Sequence, residues 1–253
     1  MFWSEIVLTG KIAGKFSYQL DYQYRRSADP SNIQGDQDNL FKNAFQQVLR
    51  PWIHYQAMDA LRVSISPIGF WGTWAETANS LYIVPENRIT LQATLNQKLN
   101  RVTITHRYRY EFRFIGNRMD ANNTWNIYHN QEFGGSDTEK GRMRYFIRAL
   151  LPLNHASLTP KTFYIDTYNE IFLNVGSQVA NTNLLDQNRF FAGLGYRFPH
   201  DIRVEAGYLS QTVLRFNNAQ HNNVDQNDIL QVLVFFDDFN KFFKKKKPTV
   251  EVK

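Results

Sequence analysis

The sequence predicts an all-β protein, a transmembrane up-and-down antiparallel β-barrel of about 12 strands, within a range of about 10 to 14. Three observations predict this fold class. Apolar and polar residues alternate with a period of two through many segments. The connections between these segments are alternately short and long. No run is long and apolar enough for a transmembrane helix, so a helical membrane protein is excluded.

The clearest alternating segment runs from Val102 to Ile115 and reads VTITHRYRYEFRFI. One face is aliphatic and aromatic, with His106 as the exception, and the other face carries three arginines and Glu111. A period of two predicts an extended strand with one apolar and one charged face. About 14 residues exceed the usual strand of a soluble protein and suit a tilted strand that crosses a bilayer.

The other strands are predicted in the same way, each between residues that favour turns. In order, the predicted strands are 2–10, 16–26, 43–57, 61–72, 87–99, 102–115, 141–152, 162–175, 187–198, 202–216 and 227–236. Short connections at 11–15, 58–60, 99–101, 153–161 and 199–201 alternate with long polar ones at 27–42, 73–86, 116–140, 176–186 and 217–226. Because single-chain bacterial barrels usually have an even number of strands, we expect a twelfth, as a short first strand or a further crossing within a loop.

The amino-acid composition limits the cellular compartment and the chemistry that the protein can have. The net charge is +6, and a lysine run at 244–247 supplies part of it. The chain has no cysteine, which excludes disulfides, thiolate catalysis and cysteine metal sites. The first residues, MFWSEIV, lack a signal-peptide pattern, so an exported protein would be the mature form. We expect one barrel domain at 1–239 and a basic, disordered tail at 240–253.

Size and charge decide which face of each strand points outward. An apolar interior in a barrel of this many strands would enclose a wide space that needs a large ligand or a plug. We therefore expect the apolar bands to face lipid, with tyrosine, phenylalanine and tryptophan near the strand ends in interfacial girdles. The tryptophans are expected either in these girdles or in loop packing. The bands are Tyr18/Leu20/Tyr22, Leu49/Ile53/Tyr55, Ile89/Leu91/Leu95, Tyr145/Ile147/Leu151 and Phe190/Leu194/Tyr196, and the tryptophans are Trp3, Trp52, Trp71, Trp74 and Trp125.

The charged faces would then line the interior, where basic residues outnumber acidic ones by roughly two to one and favour anions. The candidate anion-binding residues are Arg50, Arg62, Arg88, Arg107, Arg109, Arg113, Arg142, Arg144, Arg148 and Arg189. Their predicted salt-bridge partners are Glu111, Asp166, Glu170 and Glu205. Further inward residues are Glu5, Asp21, Arg25, His54, Arg197 and Arg203. Two interpretations stay open. The first is a charge-laced plug of a narrow barrel, and the second is an anion-preferring passage or a site for an acidic ligand.

Several stretches together are similar to a known family. They are FWSEIVLTGKIAGKFSYQLDYQYR at 2–25, ENRITLQATLNQKLNRVTITHRYRYEFR at 86–113, TYNEIFLNVG at 167–176, DQNRFFAGLGYRF at 186–198 and IRVEAGYLSQ at 202–211. They resemble a family of uncharacterised Gram-negative proteins, described as a domain of unknown function and assigned to the outer-membrane β-barrels. The resemblance runs from Trp3 to about Phe236 and implies a fold and a compartment but no activity.

No catalytic residue, metal site or cofactor is predicted. The sequence has no nucleotide-binding or metal-binding motif, and its histidines are scattered. A lipid-cleaving site would need a histidine beside a serine, and the sequence places none beside Ser64, Ser66 or Ser210. His54 and His106 therefore have structural interpretations. Nucleic acid is not expected as a partner, because arginines and aromatic residues are predicted on opposite faces.

These observations favour an integral outer-membrane barrel of a Gram-negative bacterium with an arginine-rich lumen. The function that we expect is a small passive channel for anionic solutes, and the protein is not expected to be an enzyme. The first alternative is a closed structural or scaffold barrel that serves as a subunit of a larger envelope complex. A lipid-modifying enzyme is the weaker alternative. The expected partners are outer-membrane lipids, small anionic solutes and other envelope proteins.

Overall fold

The computed structural model describes residues 1–27, 41, 43–77, 80–116, 119–120, 139–176, 184–215 and 223–243. The lysine run at 244–247 and most of the residues of four predicted long connections lie outside these residues. The strands are β1 Phe2–Ala13, β2 Phe16–Ser27, β3 Asn43–Gln56, β4 Leu61–Thr77, β5 Ser80–Leu99, β6 Val102–Ile115, β7 Met119–Asp120, β8 Glu139–Pro152, β9 Thr162–Val175, β10 Leu185–Arg197, β11 Ile202–Arg215 and β12 Asn223–Phe236. Two 3-10 turns, Pro199–Asp201 and Phe239–Phe243, follow β10 and β12. Within this part of the chain, no helical segment is long and apolar enough to span a membrane.

Eleven long strands form a closed ring, and the two-residue β7 pairs with β5 beside it. Neighbouring long strands are antiparallel, except that β1 and β12 pair in parallel from Phe2↔Leu230 to Leu8↔Phe236. An odd number of strands in a meander leaves the first and last strands pointing the same way, so only a parallel pair can close it. The all-β barrel is confirmed and the count of about twelve is close, but the ring closes with eleven strands, without an additional first strand or crossing.

The ring has two rims that differ in the residues that connect its strands. The short-turn rim contains the connections 14–15, 57–60, 100–101, 153–161 and 198–201. The opposite rim contains the N-terminus and the last residues of β2, β4, β6, β9 and β11. The C-terminal turn Phe239–Phe243 lies at the short-turn rim, where Asn240 accepts from Tyr18 Oη at 2.7 Å and donates to the Lys11 carbonyl. The two termini of the described chain therefore lie at opposite ends of the barrel.

The predicted polar connection at 73–86 is wrong, because nearly all of it is strand. β4 continues to Thr77 and β5 begins at Ser80, with the two paired in register up to that hairpin. Alanine, glutamate and proline in this segment are weak strand formers. Cross-strand hydrogen bonds outweigh such local preferences, which are small in sheets and depend on context.

The outward face carries an apolar belt to which every long strand contributes an exposed large side chain. One example from each strand in chain order is Ile6, Tyr22, Ile53, Ile65, Leu91, Tyr108, Ile147, Ile165, Leu194, Tyr208 and Leu230. Monomeric soluble proteins rarely expose contiguous apolar surface on this scale. The outward placement of the predicted bands therefore agrees with the structure, since none of their residues is buried.

The inward face has two unlike halves. Near the parallel seam, Trp3, Phe191, Leu209, Ile229 and Leu233 form a buried apolar cluster. The opposite wall, on β3, β5, β6, β8 and β9, carries most of the charged side chains. The sequence predicts charged inward faces on all the strands, so the apolar half is a difference from that prediction. It exists because the inward positions of β10, β11 and β12 hold aliphatic and aromatic residues as well as charges.

Candidate anion site in the barrel interior

A cavity of about 1620 Å³ occupies the barrel interior. Its lining includes Met1 and Trp74 from the end of the barrel that carries the N-terminus, and Lys11 and Asp238 from the short-turn rim. Since these residues belong to opposite ends of the strands, the cavity follows the length of the barrel. Any solute inside it would meet the side chains that the strands direct inward.

All ten candidate arginines line this cavity, from Arg50 on β3 to Arg189 on β10. Among the four predicted salt-bridge partners, Asp166, Glu170 and Glu205 also line it, whereas Glu111 is buried behind the arginines with 0% exposure. The strand alternation that directs aliphatic residues outward directs these groups inward. Binding of anions by the ten arginines is a function that these positions allow and stays a prediction.

The middle of the charged wall is an ion-pair network centred on Arg144. Its guanidinium donates to Glu111 Oε1 at 2.6 Å and to Glu170 Oε1 at 2.8 Å. Arg107 donates to the same oxygen of Glu170 at 2.8 Å, and Arg88 lies 3.3 Å from the other oxygen of Glu111. Two carboxylates therefore hold three arginines together across four strands. Buried networks of this kind need every charge partnered.

A second group of ion pairs lies nearer the short-turn rim. Arg148 donates to Asp166 at 2.6 Å and to Glu205 at 2.8 Å, so it joins β8 to β9 and β11. Arg203 lies 3.4 Å from Glu205, and its guanidinium also binds Asp237. In this part of the interior, Arg148 and Arg203 each form ion pairs with two carboxylates.

Glu86 is a site residue that the sequence interpretation missed. It accepts from Arg88 Nε at 2.7 Å and from Arg113 Nε at 2.5 Å. The strand predicted from the sequence begins at residue 87, which places Glu86 in a connection. The sequence does carry a signal for it, because Glu86 is two residues from Arg88 and residues two apart on a strand share a face.

Asp21, on β2, is at the centre of a polar network that includes side chains of β3. Its Oδ2 accepts from Arg50 Nη2 at 2.8 Å and from the Trp52 indole at 2.9 Å, and its Oδ1 accepts from Gln19. Gln19 Oε1 lies 3.2 Å from His54 Nε2. Because that oxygen can only accept, His54 Nε2 carries the proton.

His54 Nδ1 is then free to accept from the Ser64 hydroxyl, which lies 2.7 Å away. The sequence alone places no histidine beside a strand serine, and the structure adds this pair. Cross-strand register pairs His54 with Ser64, and the sequence alone did not reveal this register. Both residues are buried on the inward face, and both ring nitrogens of His54 are engaged.

Arginines and aromatic rings share the inward face, so their expected separation onto opposite faces is wrong. Trp3, Trp52 and Trp71 are buried inside the barrel rather than in an outer girdle. Arg88 lies 3.9 Å from the Trp71 ring centroid, and Arg107 lies 3.9 Å from that of Phe146. A guanidinium loses little hydration when it stacks on a ring, which makes this packing favourable. The interior therefore combines charge with aromatic packing.

Four inward arginines have no carboxylate within ion-pair distance among the described residues. They are Arg25, Arg62, Arg109 and Arg189. Arg109 instead donates Nε and Nη2 to Gln92 Oε1 at 3.0 and 2.6 Å. An amide oxygen accepts a hydrogen bond but supplies no negative charge, so these positions leave the wall positive.

Outside the cavity, His106 donates to or accepts from Tyr145 Oη at 2.9 Å on the outward face, which is a packing role. In the described part of the chain, no group of three or more histidine, cysteine or acidic residues could hold a metal ion.

Fold and interior together define the class of protein, a closed β-barrel whose interior is packed with arginines, carboxylates and aromatic rings. The chain belongs to a family described as "Protein of unknown function (DUF2490)", whose model matches residues 1–223. This agrees with the resemblance to an uncharacterised family. Neither the curated proteins nor the solved structures with which the sequence was compared include a significant match.

Proposed function

We propose that the chain is an integral outer-membrane β-barrel of a Gram-negative bacterium and that its interior passes small anionic solutes. The continuous cavity lined by residues from both ends of the barrel carries this proposal. A passage needs such continuity, and a positive wall raises the local concentration of anions. The arginines without a carboxylate partner supply that positive charge.

The membrane part of the proposal is supported by the apolar belt, to which all eleven long strands contribute. Outer-membrane barrels present such a belt to lipid and direct polar residues inward. Outer-membrane lipids would be its first partners. We expect the protein to sediment with the outer-membrane fraction and to require detergent for extraction. Monodisperse protein in plain buffer would contradict this placement.

Conductance across a planar bilayer tests the passage. We expect discrete current steps after insertion and, under a gradient of potassium chloride, a reversal potential of the sign set by chloride. A reversal potential set by potassium would contradict anion preference. No current at any salt concentration, from protein shown to be folded and inserted, would contradict a passage altogether.

A second candidate is a closed structural barrel that serves as a subunit of a larger envelope complex. The fully buried Glu111 between Arg88 and Arg144 favours it, because a stable ion-pair network can fill a narrow lumen. Under this alternative the inserted protein conducts no current across a bilayer. Crosslinking in cells captures defined envelope proteins in amounts that match its own.

We further propose that the chain has no catalytic activity and that the His54–Ser64 pair is structural. Both partners are buried within the barrel, whereas an enzyme that cleaves membrane lipid needs its base and nucleophile at the lipid edge. Purified protein in mixed micelles should release no fatty acid from phospholipid or lipid A. Turnover that disappears in the Ser64→Ala variant would contradict this assignment.

A further inference from the structure

Two arginines from distant strands converge on one tryptophan ring in the cavity. Arg25 Cζ on β2 lies 3.9 Å from the Trp3 ring centroid, and Arg189 Cζ on β10 lies 5.0 Å from the same centroid. Trp3 is on β1, adjacent to β2, but two strands separate β1 from β10 around the ring. The side chains of Trp3 and Arg189 therefore meet across the interior, and both arginines line the cavity.

Neither of these two charges is neutralised by an ion pair. Arg25 donates to Gln46 Oε1 at 2.7 Å and to Gln23 Oε1 at 2.5 Å, and Arg189 donates to Gln187 Oε1 at 3.2 Å. These acceptors are neutral amides. Two like charges held by neutral acceptors repel each other, and an anion between them would relieve that repulsion.

The carboxylates of the surrounding strands do not fill this role. Glu170 interacts with Arg189 through its charge, but its hydrogen bonds go to Arg107 and Arg144. Glu5 faces the same space from β1 and interacts with Arg25, but it lies beyond ion-pair distance from it. The two arginines thus keep a positive charge that no carboxylate of the described residues compensates by an ion pair.

Trp3, on whose ring the two arginines converge, carries a further donor. Its side chain is 3% exposed, and its indole Nε1–H has no hydrogen-bond acceptor among the described residues. Buried indole N–H groups normally have a partner. An oxygen atom of a ligand bound between the arginines would supply one.

We infer that Arg25, Arg189 and Trp3 form a binding site for a small oxyanion, a phosphate or carboxylate group, within the cavity. This site deepens the proposed function, on which it rests, by naming the solute class and the place where it binds. Planar guanidinium forks match the spacing of oxygens in phosphate and carboxylate, and charge-assisted hydrogen bonds are the stronger kind. The ligand is a free oxyanion or the head group of a lipid, which share this chemistry.

Titration calorimetry of the full chain in a neutral detergent tests the site. The probes are inorganic phosphate, acetate and a short-chain phosphatidic acid. We expect saturable binding, with inorganic phosphate alone sufficient if the ligand is free and only the phosphatidic acid saturating if it is a lipid head group. Arg25→Gln and Arg189→Gln should each weaken the binding about tenfold. Trp3→Phe, which keeps an aromatic ring but removes the N–H, should weaken the binding about threefold.

Two arginines serve as comparisons. Arg26→Gln removes the same charge from the next residue of β2, which does not line the cavity, and should leave affinity within about twofold. Arg62→Gln removes a charge that lines the cavity elsewhere. Weakening by Arg62→Gln equal to that by Arg25→Gln would show a diffuse potential and overturn the site. Absence of saturable binding of all three probes to folded wild-type protein would overturn it as well.

Two further measurements distinguish a loss of ligand binding from misfolding and from a loss of the passage. Circular dichroism shows whether each variant keeps its β-structure. If Arg25→Gln does not fold, Arg25→Lys keeps the charge without the planar fork, and undiminished phosphate affinity in that variant contradicts the site. Saturable binding in a barrel that conducts no current sustains the site and removes the passage. Anion-selective current without saturable binding removes the site alone.

Discussion

Glu111 on β6 and Arg144 on β8 form an ion pair in the middle of the barrel wall, with 2.6 Å between Oε1 and Nη1. The carboxylate is fully buried, and its other oxygen faces Arg88 on β5. Three consecutive strands of the ring are therefore joined by one acidic side chain. The strength of this arrangement is that each group is partnered, and its weakness is that removal of one group leaves the others without compensation.

Replacement of Glu111 by glutamine should destabilise the barrel by about 3 kcal/mol or more, because Arg88 and Arg144 then share a buried space without that negative charge. Urea unfolding in liposomes, followed by tryptophan fluorescence, measures the change. The double variant Glu111→Gln/Arg144→Gln should lose less than the sum of the two single losses, since the partners are coupled. Additive losses would show that the pair is not coupled.

In the proposed passage, anion selectivity should depend on Arg109. Replacement of Arg109 by glutamine removes a positive charge without stranding a carboxylate, so the reversal potential under a salt gradient should move toward zero. Arg107→Gln and Arg144→Gln should weaken selectivity too, but both also release Glu170 from its partners. Unchanged selectivity in the Arg109 variant would place the ion path elsewhere.

The outward orientation of the belt predicts different effects at two exposed leucines. Leu91 is in the middle of β5 and 46% exposed, whereas Leu99 ends β5 at the short-turn rim and is 59% exposed. Leu91→Arg should destabilise a membrane-embedded barrel by about 2–4 kcal/mol, and Leu99→Arg by about 0–1 kcal/mol. Equal, negligible effects on unfolding would mean that both positions face water.

Gly195 should tolerate no side chain, because a Cβ at that position would overlap the ring of Tyr164. Gly195→Ala should lower the free energy of unfolding by about 1–3 kcal/mol through forced displacement of the ring. In a Tyr164→Leu background the same substitution should have a much smaller effect, since the ring atoms are gone. An equal loss in both backgrounds would assign the effect to the backbone instead.

The C-terminal turn should loosen in acid. A hydrogen bond from Lys241 lowers the pKa of Asp201 below its usual value. A carboxylate with a lowered folded-state pKa stabilises the fold above its unfolded-state pKa of about 3.9 and loses this contribution as pH falls through the lower, folded-state value. Carboxyl NMR should show the pKa of Asp201 rising in the Lys241→Gln variant. No rise would indicate that Asp201 keeps its charge through Arg197 alone, 2.9 Å away.

The sequence by itself determined the barrel, the outward belt and the inward arginines, because strand alternation is a local property. Residues two apart on a strand share a face whatever their neighbours are, so Arg107 and Arg109 had to face the same way. The strand limits were less certain, and this is why Glu86 was missed. A local pattern weakens at the polar ends of strands, where pairing rather than composition keeps the backbone extended.

Only the tertiary structure decided which inward residues meet. The register that places Ser64 beside His54, the parallel closure of β1 on β12 and the approach of Arg189 to Trp3 all join residues far apart in the chain. Such contacts depend on strand order, stagger and ring closure, which are properties of the whole sheet. For the same reason, the sequence showed that the interior would be rich in arginine, but not which of those arginines would have a carboxylate partner.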